Sequence, residues 1–255
     1  MKIPKLNISY KWYLLFASFV VAGISIFFFV QTSYKTVRRI SVDLNNDFDN
    51  YFIDEKEVLS FVTLNDTDPL VGKYLDNVDL KEIEVRIKKC PYVDKVQVYK
   101  NLTGVIKIDV EQVRPIARLF RDGYNDKYLL ENGRVINISP KYTSRSLVVR
   151  GSFLNRFYNA SFVNSELGKS YISFFNYINQ DELWSMQISE VYVDADGTIR
   201  LYPQVGDFEI KFGMPDELDE KFKKIKIFYN EIIPSKGWLA YQSVDVQFKK
   251  QIICD

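Results

Sequence analysis

Apolar and polar positions along this chain follow three successive patterns. From Trp12 to Val30, nineteen consecutive residues (WYLLFASFVVAGISIFFFV) carry no charge. At 1.5 Å of rise per residue such a helix reaches about 28 Å, close to the hydrocarbon core of a bilayer. The run is apolar on every face, unlike the single stripe of a helix packed on a globular core. It is longer than a signal-peptide core, and Gln31-Thr32-Ser33-Tyr34 behind it offers no small-residue cleavage pattern. The pattern predicts a tail over 1–11, an uncleaved transmembrane helix from Trp12 to Val30 and a linker over 31–36.

The second pattern mixes periods of 2 and 3.6. Val37 to Leu44 alternates weakly through Ile40, Val42 and Leu44 and predicts a strand. Asp54-Glu-Lys-Glu57 has a carboxylate cap with Glu three residues on, and opens a helix to about Leu64 presenting Val58, Phe61 and Val62. Asp79-Leu-Lys-Glu82 opens a second helix in the same way, with Leu80, Ile83 and Ile87 on one face, and Pro91 ends it near Cys90. Val93 to Lys100 and Val105 to Glu111 alternate as strands around a turn at Asn101 to Gly104. To bury both helices on one sheet face, the first strand must pair with one of the last two.

Beyond Pro115 strands dominate. Tyr128 to Leu130 and Val135 to Ile138 flank Asn132-Gly133, a hairpin signal. Ser146 to Arg150 predicts a short strand, and Ser165 to Ile178 a helix turning Leu167, Tyr171, Phe174, Phe175 and Ile178 inward. Met186 to Val193, Thr198 to Tyr202 and Phe208 to Phe212 predict an antiparallel meander. A helix from Asp216 carries Leu218, Phe222, Ile225, Tyr229 and Ile232 on one stripe. The last predicted strand runs from Ser243 to Ile253. The stretch from Arg150 to Ser165 fits no pattern.

Charge and composition narrow the function. Of 34 Lys+Arg, three precede the apolar run, while all 33 Asp+Glu follow it. The part beyond is near neutral and carries no electrostatic footprint for nucleic acid. Lys2, Lys5 and Lys11 before the run balance Lys35, Arg38 and Arg39 after it, so flanking charge does not set orientation. There is no histidine, which removes Ser-His-Asp and Cys-His catalysis and most zinc sites. No dinucleotide, Walker or nucleophile-elbow motif is present. Asp194-Ala-Asp196-Gly197 lacks the acids of a calcium loop and predicts a hairpin turn. Cys90 and Cys254 form no disulfide framework; one bridge in an oxidising compartment is open, and a buried thiol with a C-terminal thiol is the expected state. No catalytic residue, cofactor, metal or small-molecule ligand is expected.

Several motifs, in this order behind the span, resemble the bacterial FtsQ family, called DivIB in Gram-positive lineages. They are Asp79-Leu80 leading to Cys90-Pro91-Tyr92-Val93, Val113-Arg114-Pro115-Ile116-Ala117 after an alternating strand, Asn132-Gly133-Arg134-Val135-Ile136, and Ser243-Val244-Asp245-Val246-Gln247-Phe248. Gln247 stands where the family usually has Arg. The resemblance implies an α+β protein: a single transmembrane helix, a POTRA domain (β-α-α-β-β, 37–113) and a mainly antiparallel β domain (114–255) with packed helices and a C-terminal edge strand.

It further implies a non-enzymatic divisome scaffold of the inner membrane at the division septum, N-terminus cytoplasmic and C-terminal domains outside. The implied partners are the FtsB/DivIC–FtsL pair, added by β-augmentation on the last strand, with FtsK-type and FtsW/FtsI-type proteins as further candidates. The partner-binding residues would be Val244, Asp245, Val246, Gln247, Phe248, Lys249, Lys250, Gln251 and Ile252, with Val244, Val246 and Phe248 packed inward. Two rivals are a POTRA-bearing secretion or outer-membrane assembly component and a membrane-anchored cell-wall enzyme. The single POTRA-like unit and the absence of repeated lipid-facing strands count against the first. The missing histidine and nucleophile motif count against the second.

Overall fold

The computed structural model describes residues 10–33, 35–45, 50–121 and 123–255. Positions 1–9 of the expected tail and Tyr34 of the expected linker lie outside the described residues. Helix α1 (Tyr10–Ser33) has 24 residues. Its side chains are described from Trp12 to Phe27, all of them exposed, so those of Phe28 to Val30 lie outside the description. Among the described residues, no helix is long and apolar enough to cross a membrane.

Behind α1 the chain divides into two compact units. One holds the chain through the first strand together with Ile53–Gln112, and the other holds Val113–Asp255 together with the segment ending at Phe52. In the first unit, β1 (Arg39–Asn45), β2 (Val93–Lys100) and β3 (Val105–Gln112) form a sheet in the order β1-β3-β2, parallel between β1 and β3 and antiparallel between β3 and β2. Helices α2 (Glu55–Thr63) and α3 (Leu80–Lys88) close it. Asp54 accepts the Glu57 N–H at 2.8 Å while Glu57 accepts the Asp54 N–H at 3.1 Å, the reciprocal cap that the sequence predicts. Asp79 caps α3 through the N–H groups of Lys81 and Glu82. Glu82 instead binds Arg86 at 2.6 Å, and Arg86 also reaches Asp68 at 2.8 Å. Val58, Val62, Ile83, Ile87, Val96, Ile106, Ile108 and Val110 form the buried layer.

The second unit is built on a nine-stranded sheet of β4 (Pro115–Leu119), β5 (Lys127–Leu130), β6 (Val135–Asn137), β7 (Leu147–Arg150), β8 (Ile188–Val193), β9 (Ile199–Pro203), β10 (Glu209–Gly213), β11 (Ser243–Asp245) and β12 (Ile253–Cys254). The order is β12-β11-β10-β9-β8-β7-β4-β5-β6. The β5–β6 hairpin and the β8–β9–β10 meander are antiparallel as predicted. The pairs β4–β7, β7–β8 and β10–β11 are parallel, which makes the sheet mixed. Asp194-Ala-Asp196-Gly197 is the β8–β9 turn: Asp196 accepts the Thr198 N–H at 2.9 Å and Asp194 binds Arg200 at 2.7 Å.

Helices α4 (Ala160–Val163), α5 (Glu166–Gln180), α6 (Glu182–Gln187), α7 (Leu218–Ile227) and α8 (Ile233–Lys236) accompany this sheet. Phe174, Phe175, Ile178, Trp184, Phe222 and Ile225 join Leu119, Val149, Val191, Leu201, Phe212 and Val244 in one core.

Two sequence expectations need correction here, and one stretch that carried no expectation gains a structure. Met186 and Gln187 belong to α6, not to a strand, because Asp181 caps Leu183 and Trp184 at 2.9 and 3.1 Å and Trp184 is drawn into the core. The unpatterned stretch after Arg150 is a 3-10 helix, Ser152–Tyr158, which delivers Phe153, Leu154 and Phe157 to the core; it starts at Gly151, whose φ of +118° no other residue adopts readily. The helix from Asp216 passes through a π turn, Phe228–Ile232, so Phe228 rather than Tyr229 is fully buried. Both cysteines are free.

Candidate partner-binding edge

Residues 243–255 form a tight reversal. β11 adds in parallel to β10, with Ile210 beside Val244 and Lys211 beside Asp245. Val244 and Val246 are fully buried, and the Val246 N–H still donates to Lys211 O at 3.1 Å. The strand then stops. Asp245 accepts the Gln247 N–H at 2.9 Å, a local turn that competes with ladder pairing. Lys224 on α7, buried to 7% exposure, donates from Nζ to Val246 O at 2.5 Å and Phe248 O at 2.8 Å. Lys250 takes a left-handed φ of +59°, and the chain returns as β12, antiparallel to β11.

This geometry replaces the single predicted strand from Ser243 to Ile253. Val244 and Asp245 lie on β11, and Val246 is buried just past it. Gln247, Phe248, Lys249, Lys250 and Gln251 make the reversal, and Ile252 starts the return. Phe248 is 49% exposed and does not pack inward, because Lys224 holds its carbonyl and the strand phase is lost. Lys249 pairs with Glu217 at 3.1 Å, and that carboxylate raises its pKa.

β12 is therefore the edge. Ser243 and Asp255 exchange both N–H···O bonds, at 3.1 and 3.0 Å, so Ser243–Asp255 is a hydrogen-bonded pair and Val244–Cys254 a non-bonded one. By that phase the N–H and C=O of Ile252 and Cys254 point away from β11. Among the described residues no backbone group pairs with them. The side chains of Ile252 and Cys254 pack on the core, while Ile253 is 39% exposed. Burial pushes the Cys254 thiol above its ordinary pKa, with the nearby Asp255 charge adding to it. Among the described residues, no cluster of acidic or cysteine side chains is placed to hold a metal.

The family model described as FtsQ/DivIB, C-terminal related, matches residues 114–255. The chain belongs to this family. A POTRA-like domain model matches residues 35–111, and no curated protein matches the chain. FtsQ/DivIB membership makes it a division-associated, POTRA-containing protein, of a kind whose domains serve as scaffolds and not as catalysts.

The residues expected from sequence end at Ile252, whereas the outward backbone groups of this sheet edge lie on Ile252 and Cys254. A signal was present. Lys249-Lys250-Gln251 is a polar triplet between Phe248 and Ile252, and it breaks the alternation where the structure turns.

Proposed function

We propose that this protein is a non-enzymatic scaffold of the divisome, linking early and late division proteins at the septum. In this reading 1–11 is a cytoplasmic tail, Trp12 to Val30 crosses the cell membrane once, 31–36 links, 37–113 is the POTRA domain and 114–255 the β domain, both outside the cytoplasm. The uncharged run, which continues past the exposed side chains of Trp12 to Phe27, supports the tether. A partner of the FtsB/DivIC type, paired with an FtsL-type protein, adds a strand to β12 and takes up the outward N–H and C=O groups of Ile252 and Cys254. FtsK-type and FtsW/FtsI-type proteins are the further partners. The observation that carries the reading is an unpaired strand edge at the end of a sheet belonging to the FtsQ/DivIB family.

The test has two parts in the native cell. Depletion is expected to produce filaments, and a photo-crosslinker at Ile253 is expected to trap a single-span division protein, which mass spectrometry identifies. Normal septation under complete depletion removes the divisome role. Trapping only at Val244-facing core positions and never at Ile253 removes the edge.

A further inference from the structure

The first unit has two sheet edges, and they differ. On β2 the Val98 N–H turns outward but donates to Glu84 Oε1 at 3.0 Å, and Lys100 Nζ crosses to Leu75 O at 2.8 Å, so α3 and its approach occupy that edge. On the β1 side the backbone bonds among the described residues lie at its start, where Val37 exchanges bonds with Lys73 and Gly72, each at 2.8 Å.

The phase of the ladder fixes which groups β1 leaves open. Val98 faces outward and Asn101 donates to Val105 O at 3.0 Å, so β3 turns its odd-numbered residues to β2 and its even-numbered ones to β1. In the parallel register Ile106 lies beside Ile40 and bonds to the residues flanking it, Arg39 and Ser41. The N–H and C=O groups of Ile40, Val42 and Leu44 therefore point off the sheet. Among the described residues none of them has a partner. Their side chains are only half-buried, although Ile106, Ile108 and Val110 beside them are 0%, 0% and 1% exposed. On the other face Arg39 and Asp43 are exposed. Asp43 stands directly opposite Asp109, a like-charge pair, and neither Arg39 nor Asp43 forms an ion pair among the described residues.

We infer that β1 pairs with β1 of a second copy of this chain, antiparallel about a two-fold at Val42. In that register Val42 faces Val42 of the other copy and Ile40 faces its Leu44, twice, so two half-covered apolar stripes close on each other. All three open residues bond. Arg39 reaches Asp43 of the other copy on the diagonal, again twice, and supplies the cation that the Asp43–Asp109 pair lacks. A register centred on Ser41 places the ion pairs directly opposite but leaves Leu44 facing Arg38 and its backbone groups unpaired. Two lost backbone bonds at about 1 kcal/mol each outweigh the gain of an exposed ion pair. The inference is independent of docking at β12.

The test uses the full chain in detergent or nanodiscs with Cys254 replaced by Ser. Val42→Cys in a hydrogen-bonded antiparallel pair brings the two Cα atoms to about 5.5 Å, within disulfide reach. It is expected to give a covalent dimer under mild oxidation, whereas Lys95→Cys on β2 is not. Arg39→Asp and Asp43→Arg, both at exposed positions, are each expected to lower dimer association at least about tenfold by sedimentation, and the double swap to restore it. A monomeric chain at all concentrations, a double swap that restores nothing, or a Val42→Cys adduct only with a different protein overturns the proposal. Loss of partner capture at Ile253 with the dimer intact overturns only the β12 reading.

Discussion

Lys224→Met is the substitution that most directly probes how the C-terminal reversal is held. The methionine keeps most of the apolar stem and removes the ammonium that donates to Val246 O at 2.5 Å and Phe248 O at 2.8 Å. Phe248 is 49% exposed, so water replaces the lost donor there at small cost. Val246 is fully buried, and its carbonyl is left without that donor. A charge-assisted bond to a buried carbonyl is worth about 1.5–3 kcal/mol net. Taking about 2 kcal/mol, opening of the reversal becomes some thirtyfold more frequent. Hydrogen exchange resolved by peptide reads this locally. Amides over 243–255 are expected to lose protection by about that factor, while peptides from α5 and β8–β9 stay within twofold. If protection over 243–255 is unchanged in a folded Lys224→Met protein, Lys224 does not hold the turn. In that case the Lys224 ammonium is not what ends β11 at Asp245.

Three other outcomes follow from local geometry. Asp54→Ala removes the reciprocal cap of α2 and is expected to cost the first unit about 1 kcal/mol in urea unfolding, with Asp54→Ser recovering most of it. Gly151→Ala combines a φ of +118° with a Cβ placed 2.0 Å from Val193 O, and is expected to destabilise the second unit by about 2–4 kcal/mol, read as a lowered thermal midpoint. Lys73 and then Arg86 hold the Asp68 carboxyl below the usual carboxylate pKa. Its contribution is therefore present above the unfolded value and is lost as pH falls through the lowered folded one, so Asp68→Asn should flatten the decline in thermal midpoint below about pH 4.

The first unit was the more legible because its signals are local. Asp54 and Glu57 are three residues apart, and the alternation of Ile106, Ile108 and Val110 reports one buried face without help from the rest of the chain. The second unit hid its structure where distant groups decide. β4 reads Pro-Ile-Ala-Arg-Leu, too short and too evenly buried to alternate, because it lies inside the sheet between β5 and β7. The 3-10 helix after Arg150 has no helical or strand period, and its Phe153 and Phe157 are placed by Tyr171 and Phe162 around them. At the C-terminus, alternation through Val244, Val246 and Phe248 argues for a long strand. The chain turns because Lys224, more than twenty positions earlier, claims two carbonyls.

The proposed partner strand adds to the outward edge of β12. Cys254→Pro tests it most directly. Proline removes the outward N–H of residue 254 while leaving the bonds of Ile253 and Asp255 to β11, and edge strands tolerate it in that orientation. Affinity of the purified full chain for the FtsB/DivIC–FtsL-type pair from the same cell is the measurement. At least about a tenfold loss is expected for Cys254→Pro and a change within twofold for Cys254→Ala. Equal affinity of the proline and alanine variants, with exchange protection over 243–255 intact in both, would contradict it.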